Sequence, residues 1–271
     1  MLRATTLLLL SAWPRAARAA LRICDTKRAL NDSLLPAAAV PAILGRLVAA
    51  MRCDALRVPI LPSARTPAAY PAAFNATLTF AAARGLPTYA SPMENAWEAA
   101  PSEAKYARWV ADFAAAFSPR YLSVFNEVGA GNCDAACMGR VVAAVRGALP
   151  AGARPLFVGP DAEHVSASAA GAAAPGHLGF FEVLSSHNAG ADASNTPAAW
   201  ARLAALAGAR PVWSSENPAC FALAKCIVYG TMAVALRANV SGVVSWNTLG
   251  DDVDVATGNI TVKGADVAAG W

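Results

Sequence analysis

Two glutamates stand at the ends of apolar, strand-like runs of the sequence. Glu127 follows Asn126 after residues 121–125, and Glu216 follows residues 211–215. A carboxylate is out of place in the core of a domain, but it is well placed for chemistry at the carboxyl end of a parallel strand. Two carboxyl groups that face each other can serve as acid/base and nucleophile at a glycosidic bond. The pair therefore predicts the chemistry of glycoside hydrolysis.

The segments that would position this pair alternate between short apolar runs and alanine-rich helical stretches. Eight runs have the nearly continuous apolar character of parallel strands that are covered on both faces. They span residues 21–24, 55–60, 86–90, 121–125, 156–159, 181–185, 211–214 and 242–246. Helices are predicted near 36–51, 67–84, 102–117, 135–149, 197–208 and 219–238. Such alternation indicates βαβ units and a parallel sheet.

Eight units favour a closed (β/α)8 barrel, the TIM barrel of the α/β class. An open doubly wound sheet is the competing fold, but no glycine-rich nucleotide-binding motif follows the first run. The segment 160–180 looks too irregular for a full helix, and no convincing eighth helix follows 242–246. The eighth unit is therefore expected to be atypical, and residues 253–262 predict a hairpin that turns at 257–259.

Length and composition limit the classes of protein that this chain can form. Its 271 residues match the size of one barrel, which is about 250 residues. With 56% hydrophobic and 15% charged residues, the composition is that of a globular protein. The net charge is +4 without any basic run, so we expect no nucleic-acid partner. No uninterrupted apolar run has the length of about 18 residues that a membrane span requires.

A secretory signal peptide is predicted over residues 1–19. Arg3 supplies a positive start, residues 7–13 form an apolar stretch, and residues 17–19 form a small-x-small cleavage site. Residues 20–271 would then form a single (β/α)8 domain of a secreted protein. Two further arginines lie unusually close to the cleavage site, so targeting to an organelle remains the alternative. Asn-x-Ser/Thr sequons, which favour an exported glycoprotein, begin at Asn31, Asn75, Asn239 and Asn259.

The cysteines form an even set, which permits disulfides outside the cytosol. They are Cys24, Cys53, Cys133, Cys137, Cys220 and Cys226. We predict two local pairs, Cys133 with Cys137 and Cys220 with Cys226. The first pair requires Cys133 to lie outside a regular helix, because side chains four residues apart on a helix are too distant for an S–S bond. Neither a Cys-x-x-Cys motif nor a histidine cluster is present, so we expect no metal and no organic cofactor.

Several stretches of the sequence resemble clan A glycoside hydrolases, the (β/α)8 retaining enzymes that include endoglucanases, mannanases and glucosylceramidase-like enzymes. Asn126 and Glu127 at the end of the fourth run, with Glu216 at the end of the seventh, are similar to the family's paired catalytic motifs. The other similar stretches are 56–60 with Arg57, 91–97 with Asn95 and Trp97, 183–187 with His187, and 243–246 with Trp246.

The resemblance implies a role for each of these residues. Glu127 would be the acid/base, Glu216 the nucleophile, and Asn126 a hydrogen-bond partner of the sugar 2-OH. Arg57 would keep Glu216 ionised, because a nearby cation favours the charged carboxylate. The remaining residues would line the sugar pocket, with the tryptophan of the eighth run as its floor; they are Asn95, Trp97, His187 and Trp246.

One departure from the family pattern keeps other functions open. The family usually has an aromatic residue just after the histidine of the sixth strand, where it helps to orient the nucleophile, whereas Asn188 and Ala189 follow His187 here. We expect a monomeric, secreted, retaining glycosidase that acts on oligosaccharide or polysaccharide. The alternatives are a catalytically inactive carbohydrate-binding barrel and a barrel hydrolase of another class. A metal-dependent hydrolase is disfavoured, because no His-x-His, Asp-x-His or carboxylate cluster stands at a strand end.

Overall fold

Eight parallel strands close into a barrel in the computed structural model of the protein. The structure describes residues 21–27, 30, 35–64, 66–93, 96–97, 102–127, 133–187, 196–217, 235, 238, 240–245, 253–254 and 259–260. The strands are β1 (Leu21–Asp25), β2 (Ala55–Ile60), β3 (Thr88–Pro92), β4 (Tyr121–Ser123), β5 (Leu156–Ala162), β6 (Val183–His187), β7 (Val212–Asn217) and β8 (Gly242–Ser245). Each strand pairs with the next, and β1 also pairs with β8. The predicted TIM barrel is confirmed, and the open sheet is excluded.

Helices follow the strands around the outside of this barrel. They are α1 (Val40–Met51), α2 (Ala72–Ala83), α3 (Glu103–Phe117), α4 (Ala135–Ala148), α5 (Val165–Ala173) and α6 (Pro197–Ala207). Three of them begin at a side-chain cap, because Ser102, Asp134 and Thr196 each accept a hydrogen bond from the backbone N–H three residues further on. Such caps satisfy N–H groups that have no partner within the helix. They explain why α3, α4 and α6 begin within a residue of the predicted positions.

The barrel interior is filled by side chains and is not a pore. Its apolar cluster is Ile23, Ala55, Tyr89, Val158, Val183, Trp213 and Val244. The ring of Trp213 packs edge-on against Tyr121 and Tyr89, with ring centroids 4.7 and 5.7 Å apart. A Cβ atom at Gly242 would lie 2.5 Å from this indole, so only glycine fits beside it. The packed interior leaves the carboxyl ends of the strands as the place where polar side chains meet.

Two segments that looked irregular in the sequence can be compared with the structure. The prediction that 160–180 holds no full helix was wrong, because α5 occupies nine residues of it and a short 3-10 helix, His177–Phe180, follows. The predicted hairpin is present as β9 (Val253–Asp254) paired antiparallel with β10 (Asn259–Ile260). The predicted helix at 219–238 and the signal peptide fall almost wholly outside the described residues. No described helix is long and apolar enough to cross a membrane.

Two disulfides brace the described part of the barrel. Cys133 is joined to Cys137, as predicted, and Cys133 lies before Asp134, the N-cap of α4, and therefore outside the helix. A second disulfide, which the sequence analysis did not pair, joins Cys24 of β1 to Cys53, which lies two residues before the neighbouring strand β2. The predicted pair of Cys220 with Cys226 lies outside the described residues.

Candidate active site

The two glutamates singled out in the sequence meet at the carboxyl mouth of the barrel. Glu216 lies near the end of β7 and is 7% exposed, while Glu127 follows β4 and is half-buried. His187, the last residue of β6, is paired in register with Glu216. One carboxylate oxygen of each glutamate and one ring nitrogen of His187 all lie within 4.8 Å of one another. Strand order thus brings together three residues that are far apart in the sequence.

Arg57 anchors Glu216 from the opposite side of the barrel mouth. The guanidinium is fully buried on β2, and its Nη1 lies 2.7 Å from Glu216 Oε2. Its Nη2 donates to Asn126 Oδ1 at 2.9 Å, and its Nε donates to Ser91 Oγ at 2.9 Å. One planar group therefore fixes the candidate nucleophile and the residue before the candidate acid/base at once, which a fork of fixed N–H groups can do.

The end of β1 contributes two charged residues that the sequence analysis missed. Lys27 is buried, and its Nζ donates to Asn126 Oδ1 at 2.6 Å and lies 3.8 Å from Glu216 Oε2. Asp25 Oδ2 lies 3.5 Å from Arg57 Nη1, and burial raises the pKa of Asp25 although Arg57 and Lys27 act against it. The two cations occupy the amide oxygen of Asn126, and no described residue accepts a hydrogen bond from its buried Nδ2. Among the described residues that N–H group has no acceptor, so it could donate to a ligand.

The third missed residue, Asp161, lies at the end of β5 and is fully buried. Its Oδ2 accepts a hydrogen bond from Tyr89 Oη at 2.9 Å and lies 3.8 Å from His187 Nε2. Its Oδ1 accepts from Ser185 Oγ at 2.9 Å and from Ser215 Oγ. The only sequence signal was an aspartate just after an apolar strand, in a segment that was expected to be irregular.

Charge balance sets the protonation state of the site. Burial disfavours the charged form of Glu216, but His187, Arg57 and Lys27 outweigh it and lower the pKa of the carboxyl to about 2. Burial likewise disfavours the charged form of His187, but Glu216 and Asp161 outweigh it and raise the pKa of the ring to about 10. At neutral pH, Glu216 is therefore a carboxylate and His187 is an imidazolium.

The backbone at two of these positions adopts an uncommon conformation. Glu127 has φ 54° and Asp161 has φ 62°, both in the left-handed region that non-glycine residues rarely occupy. The N–H of Glu127 donates to the carbonyl of Asp161 at 3.1 Å, so the two unusual turns support each other. Strain of this kind is found mostly at functional sites, where the surrounding structure holds the residue in place.

Not every predicted site residue can be placed at the mouth. Trp97 is half-buried and packs edge-on against Tyr106 and Phe125, with ring centroids 5.0 and 5.5 Å apart. It therefore supports an aromatic cluster next to Asn126. Asn95 and Trp246 lie outside the described residues.

A single group of described side chains could reach a common metal ion, and it is the trio Glu127, His187 and Glu216. A histidine that binds a metal must be neutral to offer a lone pair. Here the raised pKa keeps the His187 ring protonated, and its Nδ1 already lies 2.7 Å from Glu127 Oε1. In this structure the trio therefore forms a network of hydrogen bonds and ion pairs.

Fold and site together define the class of this protein: a (β/α)8 barrel with a pair of carboxyl groups held at its carboxyl mouth. No protein-family model and no curated protein sequence matches the chain.

Solved structures similar to this chain include β-mannanases and an endoxylanase. The β-mannanase from Streptomyces thermolilacinus superposes with a TM-score of 0.59 at 15% identity, covering 87% of this chain and 80% of the mannanase. A GH113 β-1,4-mannanase gives 0.53 at 12% identity and covers 91% and 93%. A GH30 endoxylanase from Clostridium papyrosolvens C71 gives 0.53 at 12% identity and covers 83% of this chain, which spans 64% of the endoxylanase. At these identities the likeness shows the fold alone.

Proposed function

We propose that this protein is a glycoside hydrolase that cleaves β-linked glycan with retention, using Glu216 as nucleophile and Glu127 as acid/base. The observation that carries the proposal is the pair itself: an ionised, buried Glu216 whose oxygen lies within 4.8 Å of an oxygen of Glu127. Retaining glycosidases hold their two carboxyl groups about 5–5.5 Å apart, whereas inverting enzymes leave about 6.5–9.5 Å for a water molecule. The short separation supports retention.

Glu216 suits the nucleophilic role because its charge is secured from several sides. His187, Arg57 and Lys27 surround the carboxylate, outweigh its burial and lower its pKa to about 2, so it is ionised at neutral pH. Its oxygen would attack the anomeric carbon and form the glycosyl-enzyme as the bond to the leaving oxygen breaks. The three cations prevent its loss of nucleophilicity through protonation.

Glu127 suits the acid/base role because it is half-buried and faces Glu216 across the mouth. In the first step its proton would pass to the leaving oxygen as the glycosidic bond breaks. In the second step the same carboxylate would take a proton from water as that water attacks the anomeric carbon and releases Glu216. No cofactor is needed for either step.

The sugar would be held by residues around the pair. Nδ2 of Asn126 has no acceptor among the described residues and would donate to a sugar hydroxyl, since both cations bind the other end of the amide. Asn95, His187 and Trp246 would complete the proposed pocket, and Trp97 would support it through its contacts with Tyr106 and Phe125. The named neighbours are mannanases and an endoxylanase, so β-mannan and xylan are the first substrates to try. Two disulfides are compatible with the proposed secretion of the chain.

The experiment is a hydrolysis assay on soluble β-mannan, xylan and β-glucan with the wild type and Glu216→Gln. The glutamine keeps the shape of the side chain but cannot form the glycosyl ester, so hydrolysis should fall to background while binding of the same glycan persists. Glu182→Gln, which changes a carboxylate paired with Arg146 away from the site, is the control and should keep full activity. A wild type that binds a glycan without cleaving it would instead point to a carbohydrate-binding barrel.

A further inference from the structure

Asp161 is a buried carboxylate that neither step of the proposed reaction uses, yet three other strands supply polar partners for it. It lies on β5 and is 0% exposed. The hydroxyls that donate to it come from β3, β6 and β7, through Tyr89, Ser185 and Ser215. A buried charge is costly unless it is paired and fully hydrogen-bonded. So many partners for one carboxylate indicate a specific role beside the catalytic pair.

We propose that Asp161 is a positioning residue that fixes the His187 ring as a bridge, with one ring nitrogen donating to Glu127 and the other directed at Glu216. This inference rests on the proposed function, because the bridge would hold the acid/base and the nucleophile of that reaction in register. Asp161 reaches neither carboxyl group with its side chain and acts through the histidine.

The carboxylates around the ring favour a proton on both of its nitrogens. Nδ1 lies 2.7 Å from Glu127 Oε1. Nε2 makes no hydrogen bond to a described residue, but it lies at ion-pair distance from two carboxylates, 3.7 Å from Glu216 Oε2 and 3.8 Å from Asp161 Oδ2. A proton on each ring nitrogen suits these neighbours, because it avoids repulsion between the lone pairs of the nitrogen and the facing carboxylate oxygen. The imidazolium form places a hydrogen on each side, and the negative charge of Asp161 favours that form.

The bridge has a consequence for proton transfer by Glu127. In the proposed imidazolium form Nδ1 donates to Oε1, so that oxygen is occupied and Oε2 is left to carry the proton that goes to the leaving group. The backbone adds to this alignment, because the carbonyl of Asp161 accepts from the N–H of Glu127 at 3.1 Å. Asp161 thus acts on Glu127 in two ways. Its carboxylate acts on the side chain of Glu127 through the His187 ring, and its carbonyl group holds the backbone N–H of Glu127.

Charged and titratable groups from six strands surround the ring. Glu127, Asp161 and Glu216 contact or approach it directly, while the others lie in the next layer around these carboxylates. That layer consists of Asp25, Lys27, Arg57 and Tyr89. The layer includes two cations, which oppose protonation of the ring, so the nearby carboxylates must supply the stabilisation. Removing one of them should release the proton at lower pH.

The test follows the His187 ring directly by NMR of protein carrying ¹⁵N-labelled histidine. Only three histidines are present, and the signal lost in His187→Gln assigns the ring. In the wild type both ring nitrogens should be protonated at pH 8. In Asp161→Asn, where the amide oxygen can still accept from Ser185 and Ser215, the titration midpoint should fall by about 1–3 pH units. Glu182→Gln, at the opposite end of β6, is the matched control and should leave the midpoint unchanged.

Kinetics of the same variants separate a positioning role from a merely structural one. Asp161→Asn should lower kcat by about 100-fold with little change in KM, and the alkaline limb of its pH profile should move down together with the NMR midpoint. A neutral His187 ring in the wild type at pH 8 would overturn the proposal even if Asp161→Asn failed to fold. A folded Asp161→Asn with an unchanged midpoint would overturn it as well. Failure of the proposed function would look different. The wild type would then hydrolyse no glycan, while the NMR titration of His187 would still follow the prediction.

Discussion

Arg57 Nη1 lies 2.7 Å from Glu216 Oε2, although 159 positions separate the two residues in the chain. Both are buried, and β2 and β7, which carry them, are not neighbours in the barrel. The contact exists only because the barrel closes and directs the ends of both strands to one mouth. Closure of the barrel therefore places the cation that stabilises the ionised form of the candidate nucleophile, Glu216.

Replacing Arg57 by alanine should therefore damage stability as well as activity. The change leaves the Glu216 carboxylate buried without its closest cation, and loss of one member of a buried ion pair typically costs about 3–5 kcal/mol. Urea unfolding at pH 7 measures the free energy of unfolding. The exposed pair of Arg22 with Asp54 provides the control: its atoms are 3.1 Å apart, and Arg22→Ala should cost at most about 1 kcal/mol. Equal losses in the two variants would contradict the assignment of Arg57.

The stability that His187 contributes should depend on pH in a defined direction. Its pKa rises from 6.5 to about 10 on folding, so the folded protein binds the proton more tightly than the unfolded chain does. The contribution is complete below pH 6.5 and is lost as pH rises through 10. The free energy of unfolding of the wild type, compared with that of His187→Gln, should fall steadily across this window. A constant difference from pH 6 to pH 10 would show that the ring is not charged in the folded state.

The two disulfides should differ in their effect on stability. Cys24 and Cys53 are 29 positions apart, whereas Cys133 and Cys137 are 4 apart. Because a longer loop loses more entropy on closure, removal of the first bridge should cost about 4 kcal/mol and removal of the second about 2 kcal/mol. Double serine variants compared by urea unfolding measure both. Peptide mapping under non-reducing conditions checks the pairing, and free thiols at these positions would refute it.

Strand positions could be predicted because parallel barrel strands are covered on both faces. The run 55–60, for example, is apolar except at Arg57 and is buried at all six residues of β2, and nearly continuous apolar sequence is what that environment produces. Glu127 and Glu216 stood out for the same reason, as charges that interrupt an apolar run. Helix α5 was missed because its alanine, serine and glycine residues carry no clear apolar period.

The contacts between residues on different strands could not be predicted from the sequence. Asp25, Lys27 and Asp161 look like ordinary loop charges in one dimension, and their meaning comes from strands that meet only after closure. The pairing of Cys24 with Cys53 has the same origin, since it depends on β1 lying beside β2. Sequence can identify the strand tip on which a residue stands, but only the closed barrel sets which tips face each other.

Loss of Glu127 should affect substrates unequally. Glu127→Ala removes the proton donor, so kcat/KM should fall by about 10²–10⁴-fold on glycans, whose leaving groups need protonation. An activated aryl glycoside needs little protonation and should still form the glycosyl-enzyme rapidly. Comparing both substrate types with wild type and variant measures the asymmetry. A uniform loss on both would argue against Glu127 as the acid/base.

The most direct test of the central claim is to trap the covalent intermediate. An activated 2-deoxy-2-fluoro glycoside of the sugar that the wild type hydrolyses should form a glycosyl-enzyme that breaks down slowly, because the fluorine destabilises the charged transition state. Mass spectrometry of the digested protein should then find one added sugar on the peptide that contains Glu216, and none in Glu216→Gln. A label on another residue, or hydrolysis with inversion and no label at all, would contradict the account.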